Sequence, residues 1–408
     1  MNLNLSDEQR LLQDSVNRYV AREHDFALHR RIADGDTEAG RAVWRAMAEL
    51  GWLGLPLPEA HDGSGGGPVE VAIVMEGLGG ALVLAPYLST VVLGADLIAR
   101  VGSPAQRERW LPMIAAGGLR VALAASGAIA ADGRRVLDLR AARIGNEWGL
   151  DGTVRRVVDA PDAALWLVPA RIDGDAPDGG GEVALFAVAG DASGAQGLAV
   201  TVFDRVDGRR AADLAFDGFV ATDADRLGAD APSDEPVRRP APESAREQAD
   251  VRAAIEAALD RASAAACADA IGGLAALVER TAAYSKTRVQ FDQPLAANQA
   301  LRHRMVDMAL HREEARAIAL RASLLLDGDA DMRARAVSGA KIRVGRAARA
   351  ITEGAIQIHG AMGVTDELDI GAYAKRLLAF ELTYGTAADH QRRIVALRRR
   401  AGGPRAFD

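Results

Sequence analysis

From Val251 to the end, the chain holds a helical period almost without interruption, in stretches near 251–287, 297–327, 330–360 and 366–399. Helices of this length reach about 40–50 Å at 1.5 Å per residue and need apolar partners along their whole course, which predicts an antiparallel bundle. Everything upstream has to be built beside it. Hydrophobic residues make up 49% of the chain but aromatics only 4%, so cores rest on Ala, Leu, Val and Ile, and the many alanines favour closely packed helices. At 408 residues the chain is long enough for roughly two to three domains of about 100–200 residues each.

Ser6 stands before Asp7-Glu8-Gln9, a capping box with acidic residues at the positive end of the helix dipole. Leu12, Val16, Tyr19 and Val20 then share one helical face. Further helices are predicted over 38–50, 69–82, 89–101 and 104–115, the last with Ser103 as cap and Pro104 at its first position. The glycine tract from Gly63 to Gly67 has no following Lys-Ser/Thr and no β run before it, so it reads as a turn and not as a phosphate loop. Between residues 119 and 228 the pattern shifts to short runs such as Val121–Ala124, Leu165–Val168, Val183–Val188 and Leu198–Phe203, bounded by Gly, Asp and Pro. This predicts a small β sandwich or barrel without crossover helices. No G-x-G-x-x-G opens a helix after a strand, so a Rossmann site is unsupported. Pro232, Pro236, Pro240 and Pro242 mark 229–250 as a linker. The expected class is α+β, mainly α: a helical domain over 1–118, a β domain over 119–228, and a helical bundle over 251–408.

Lys and Arg number 49 against 56 Asp and Glu, a net charge of -7, which argues against nucleic acid as the main partner. Cys267 is the single cysteine, excluding an intrachain disulfide framework and a multi-cysteine metal site and pointing to a reducing, cytoplasmic setting. No metal site is expected. The N-terminal residues lack an apolar signal core. The tract from Ala81 to Ala99 is broken by Pro86, Ser89, Thr90 and Asp96, so it reads as a buried helix and not as a membrane span.

Two constellations carry chemistry. In Lys286-Thr287-Arg288-Val289-Gln290-Phe291-Asp292-Gln293-Pro294-Leu295 a helix ends at a turn offering a guanidinium fork suited to phosphate and a ring suited to adenine or ribose. In Gln357-Ile358-His359-Gly360-Ala361-Met362-Gly363 a long helix closes on glycines that permit close backbone approach to a ligand. His359 there reads as a packed or capping residue. Together with Asn298-Gln299-Ala300-Leu301 and His303-Arg304, their order and spacing resemble acyl-CoA dehydrogenases over nearly the full length. The phrases Leu53-Gly54-Leu55-Pro56, Ala85-Pro86-Tyr87-Leu88 and Lys375-Arg376-Leu377 through Ala388-Asp389-His390 are most similar to the small-subunit chains of pimeloyl-CoA dehydrogenases within that family.

The resemblance implies α,β-desaturation of an acyl-CoA thioester, FAD bound across a subunit interface, a homo- or hetero-oligomer, and an electron-transfer flavoprotein as acceptor. It implies that Arg288 pairs with the FAD pyrophosphate, that Phe291 packs on adenosine, and that Gln299, Gln357, Gly360 and Ala361 line the same end. Thr386 joins this cofactor-binding set. The family also needs a carboxylate to take the proton beside the thioester. Its usual position, before Gly385-Thr386, holds Tyr384, and the alternative position falls near Ala262-Ser263. Asp260 and Glu381 are the nearest carboxylates; Glu381 more readily serves as a solvated or ion-paired helix residue. The family's flavin-contact strand reads Arg156-Val157-Val158, and Val158 offers no side-chain donor. Arg155 and Arg156 are the cations nearest that strand, eligible to read a distal carboxylate of a substrate. The first expectation is therefore a subunit of a heteromeric enzyme that lends its FAD clasp while a partner supplies the base. A self-sufficient homo-oligomer using Glu381 or Asp260 is the second. A non-enzymatic assembly protein on the same fold is the third.

Overall fold

The computed structural model describes residues 5–173, 182–228 and 244–400. The chain opens as the capping box predicts: the Gln9 amide donates to Ser6 Oγ at 3.1 Å, the Ser6 amide donates to Gln9 Oε1 at 2.9 Å, and α1 runs Asp7–Glu23. Asp25 caps α2 (Phe26–Ala33) and Asp36 caps α3 (Thr37–Glu49). Helix α2 spans only eight residues, too short to leave a period, and was not anticipated. The glycine tract leads into α4 (Pro68–Gly80), where the Gly67 amide donates to Glu70 Oε2 at 2.8 Å; it is a turn that feeds a helix.

Residues 89–101, expected as one α-helix, are a π-helical segment, Leu88–Ala95, continued by α5 (Asp96–Val101). Its eight residues are all buried. Thr90 Oγ1 exchanges hydrogen bonds of 3.1 Å with the backbone of Val121, and Gly94 leaves room for the Val121 side chain. Helix α6 (Pro104–Ala115) follows, with the Ser103 box and Pro104 placed as read from sequence.

The β domain is one seven-stranded mixed sheet: β1 (Val121–Leu123), β2 (Leu139–Ile144), β3 (Glu147–Val158), β4 (Leu165–Ile172), β5 (Val183–Ala189), β6 (Leu198–Asp204) and β7 (Arg210–Ala221). The order is β1-β4-β2-β3-β7-β6, with β5 also on β4. Among the described residues no α-helix joins two strands, yet β1 and β2 both run parallel to β4, a pairing the short apolar runs did not reveal. Trp148, Trp166, Phe186 and Phe216 anchor its separate core.

Helix α7 (Ser244–Thr287) is 44 residues long, about 66 Å. The expected linker is thus shorter than 229–250. Residues 229–243 lie outside the described residues, while Ser-Ala-Arg-Glu-Gln-Ala after the last proline has good helix propensity and starts α7. A hairpin of β8 (Val289–Gln290) and β9 (Gln293–Pro294) leads to α8 (Gln299–Leu324) and α9 (Ala330–His359). The fourth stretch is not one helix. It breaks into α10 (Ile370–Leu382) and α11 (Ala387–Arg400), because Tyr384 (φ 56) and Gly385 (φ 101) are left-handed. The carbonyls opened by the break are taken by Lys341 of α9, whose Nζ donates to Phe380 O at 2.9 Å and to Thr383 O at 2.8 Å. Burial lowers its pKa to about 8. Thr386 and Asp389 cap the new helix reciprocally.

One helix among the described residues is long and apolar enough to cross a membrane, the Val251–Thr287 part of α7, and 83% of its apolar window is buried inside the protein. It packs on α4 so closely that a methyl added at Gly79 would overlap the Asp269 carbonyl, and one at Gly272 the Glu76 carbonyl. The two helical regions, far apart in sequence, therefore share one apolar core.

That core makes the fold acid-sensitive. His24 is 6% exposed and neither ring nitrogen has a hydrogen-bond partner; the Leu82 carbonyl nearby is taken by His29 Nδ1 at 2.8 Å. Burial lowers the His24 pKa from 6.5 to about 4. Between those values the unfolded chain binds the extra proton, so stability falls as pH drops from 6.5 toward 4, by roughly 3 kcal/mol for this group alone. Urea unfolding at pH 7, 5.5 and 4.5 should show that decline, and His24→Leu should make it shallower, with buried His29 and His390 still contributing.

Candidate functional site

The end of β3, the β6–β7 turn, the π-helical segment and the break between α10 and α11 meet at a cleft. Two cavities there share Ser89, Val158, Arg205, Thr383 and Tyr384. The outer one, about 240 Å³, has apolar walls from Leu93, Leu123, Phe203 and Leu382, with Ser126 and Arg156 beside them. The inner one, about 40 Å³, contains Asp159, Asp207, Arg209, Asp269 and Arg376.

Tyr384 occupies the position where a base was expected and is 8% exposed. Its ring packs against Gly127, whose left-handed φ of 67 leaves no room for a side chain on that face. Burial raises the phenol pKa further above its ordinary value, so it carries no anion at neutral pH. The Tyr384 carbonyl accepts from Arg135 Nη1 at 2.6 Å and lies 3.1 Å from His390 Nε2.

Arg135, reaching in from the β domain, ends on α7. Its Nη2 donates to Ser263 Oγ at 3.2 Å and lies 3.4 Å from Asp260 Oδ1. Asp260 is also gripped by both Nη atoms of Arg393, with Nη2 at 3.1 Å from Oδ2, and has Arg333 Nε at 3.5 Å. This carboxylate is 1% exposed and shared among three guanidiniums. Glu381 accepts from Arg349 Nη2 at 3.0 and 3.4 Å on the outer side of α10. Neither carboxylate borders the two cavities.

Asp159 is the acidic residue that sequence reasoning missed. It sits left-handed (φ 62) directly after β3, buried, with Ser89 Oγ donating to Oδ2 at 2.6 Å. Among the described residues no cation lies within ion-pair distance of it, and burial raises its pKa. In sequence it looks like an ordinary turn residue before Ala160-Pro161; only its approach to Ser89, 70 positions upstream, distinguishes it.

At the far end of the bundle lie the residues expected to hold the adenosine end of the cofactor. The Arg288 amide donates to Tyr284 O at 2.8 Å and the Leu295 amide donates to Arg288 O at 2.9 Å, closing the hairpin. Phe291 projects from its tip, left-handed (φ 52) and 95% exposed. The Tyr284 ring stacks on His359 with centroids 4.3 Å apart, which sets the end of α7 beside the end of α9. Gln299 at the start of α8 and Gln357, Gly360 and Ala361 at the end of α9 are exposed, as is Arg288. Gly360 has φ 61 with nothing within 4 Å of an added Cβ, whereas Ala361 stays out of the left-handed region, so its methyl is accommodated. His359 is buried with Nδ1 2.8 Å from Ala355 O, a packed residue as expected. Thr386 is not part of this group. It follows the break pinned by Lys341, eighteen residues from His359 along α9, on the order of 27 Å away.

The sequence matches the family described as acyl-CoA dehydrogenase, N-terminal domain, over residues 6–118, and acyl-CoA dehydrogenase, C-terminal domain, over residues 251–399. A probable acyl-CoA dehydrogenase, YngJ of Bacillus subtilis (strain 168), is 27% identical over 402 residues, covering 97% of this chain and 99% of its own. A chain of the ChsE4-ChsE5 complex from Mycobacterium tuberculosis has a TM-score of 0.81 at 25% identity, covering 99% of this chain and 100% of that one. The FAD complex of PigA shares the fold, with a TM-score of 0.80 at 22% identity, covering 98% of this chain and 99% of that one. With two family models matched over most of the chain and whole-chain likeness in sequence and structure, the chain belongs to the acyl-CoA dehydrogenase family of oxidoreductases.

Proposed function

We propose that this chain is a subunit of a heteromeric acyl-CoA dehydrogenase, lending an adenosine clasp to FAD held against a partner chain that supplies the catalytic carboxylate. One contrast carries the reading: Arg288, Phe291, Gln357 and Gly360, which a clasp would need, are exposed at helix ends, while the cleft of the same chain has Tyr384 where the base belongs. When bound, FAD supplies the hydride acceptor for desaturation. The clasp residues fit its adenosine end: Arg288 is exposed for a pyrophosphate, Phe291 offers an open ring face, and Gly360 leaves the backbone approachable. The cleft fits the flavin ring poorly. Val158 has no side-chain donor, and the charged Arg156 occupies the place of the family's aromatic residue. Support for a two-chain assembly also comes from the likeness to the ChsE4-ChsE5 complex. The substrate class on this reading is an acyl-CoA thioester.

A second reading, a self-sufficient homo-oligomer, has one observation in its favour: Asp159 is an unpaired carboxylate in the same inner cavity as Tyr384. Asp260 and Glu381 are both engaged by arginines and are weaker choices. Affinity purification of the tagged chain from its native cell decides between the readings. A second acyl-CoA dehydrogenase chain with a carboxylate before its Gly-Thr pair should co-purify, and the chain alone should show no flavin bleaching on adding acyl-CoA. A preparation of this chain alone, with one FAD per chain and bleaching by acyl-CoA, would leave the heteromeric reading without support.

A further inference from the structure

A cavity of about 550 Å³ lies between α1, α4 and the second half of α7, with Asp369 and Tyr373 at the start of α10 beside them. It shares no residue with the two cavities of the cleft or with the residues proposed for the clasp. Its volume falls within the range of small-molecule sites. Its charge is one-sided: Asp25, Glu76, Glu279 and Asp369 border it against a single cation, Arg280. That arginine is held by Asp369, and its guanidinium lies 5.0 Å from the centroid of the Tyr373 ring. Glu76 has Arg316 Nε at 3.9 Å, beyond hydrogen-bond distance, and Glu279 has no ion pair among the described residues. Two helix ends add to the same field. His24 is the C-cap of α1 and Ala81 the C-cap of α4, and both border the cavity, so the negative ends of two helix dipoles meet there.

His24 supplies the buried polar contact. Its amide donates to Val20 O at 3.3 Å, and the next residue, Asp25, accepts from the Leu28 amide at 2.8 Å. Helix α1 therefore ends where α2 begins, and the turn sets the His24 ring inside, 6% exposed and on the cavity wall. Neither ring nitrogen has a hydrogen-bond partner among the described residues. Burial lowers its pKa to about 4, so at neutral pH one nitrogen holds a free lone pair. A buried polar group without a partner is costly, and each such group calls for an explanation. An anion would be repelled by this field. An ammonium group would donate to the lone pair and meet a countercharge.

We propose that this cavity binds a small aliphatic amine as its ammonium ion, with His24 accepting one N–H, Glu76 supplying the countercharge, and Val20, Phe26, Ile73 and Leu82 packing on the carbon chain. Calorimetric titration of the purified chain with pentylamine, pentan-1-ol and pentanoate at constant ionic strength tests it. Pentylamine should bind tighter than pentan-1-ol by roughly tenfold or more, the scale of one charge-assisted hydrogen bond, and pentanoate should bind more weakly than the alcohol. His24→Leu should remove the preference for the amine without loss of thermal stability, because it deletes a buried group that has no partner. His24→Gln, which restores an acceptor, should recover part of it. Glu76→Gln, at a residue that is not fully buried, should also lose the preference and keeps the test open if His24→Leu fails to fold. Pentylamine no tighter than pentan-1-ol, pentanoate as tight as pentylamine, or an undiminished preference in folded His24→Leu or in Glu76→Gln would each overturn the proposal. These outcomes do not depend on whether a partner chain co-purifies.

Discussion

Asp260→Ala is expected to destabilise the chain by about 3–5 kcal/mol, because it strands buried guanidiniums that share one carboxylate. Arg135 and Arg393 are 2% and 4% exposed. Burial disfavours the charge on both, and Asp260 counters this strongly enough at Arg393 to raise its pKa. Glu256 continues to hold Arg393 at 3.3 Å, but among the described residues Arg135 has no other carboxylate partner for its side chain. The loss would spread to the Tyr384 carbonyl, since Arg135 bridges β domain, α7 and the α10–α11 break. Urea unfolding followed by circular dichroism measures this directly. The result also bears on chemistry: a catalytic base replaced by Asn leaves stability nearly intact and abolishes turnover, whereas here Asp260→Asn should lower stability first.

Arg288→Ala acts at the opposite end and in the opposite manner. Arg288 is exposed and pairs with no carboxylate among the described residues, so the fold should be unaffected. In the assembled enzyme, losing a charge-assisted contact to a pyrophosphate is worth roughly 1.5–3 kcal/mol, or about 10- to 150-fold in FAD affinity. Recovery of flavin fluorescence on dilution of the complex reads the change. Equal FAD retention in wild type and variant would remove Arg288 from the clasp.

Much of the helical frame was legible because its signals are local. Ser6 and Ser103 announce helix starts within three residues, and the apolar period of α7, α8 and α9 persists over many turns. The break at Tyr384 was hidden because a left-handed tyrosine is rare and Thr383-Tyr384 has no residue that forbids a helix; its support, Lys341, lies over forty positions earlier. The residues proposed for the clasp stood out as motifs because they lie at helix ends, where the signals are local. Asp260, by contrast, appeared available only because its partners Arg135 and Arg393 come from 125 and 133 positions away. The setting of Asp159 depends on interdomain register, which a single sequence does not display.

The π-helical segment Leu88–Ala95 has no solvent face. Ser89 and Leu93 border the cleft, Thr90 and Gly94 contact Val121 of β1, and Val91, Val92 and Ala95 border a separate cavity of about 390 Å³. Deleting one residue would rotate everything after it about the helix axis, carrying Leu93 off the cleft and Gly94 off the strand. A chimera that exchanges the β domain at residue 118 would therefore separate the sheet from the helical turn that seats it. The heritable unit of the cleft begins at Leu88, 33 residues before the sheet does at Val121.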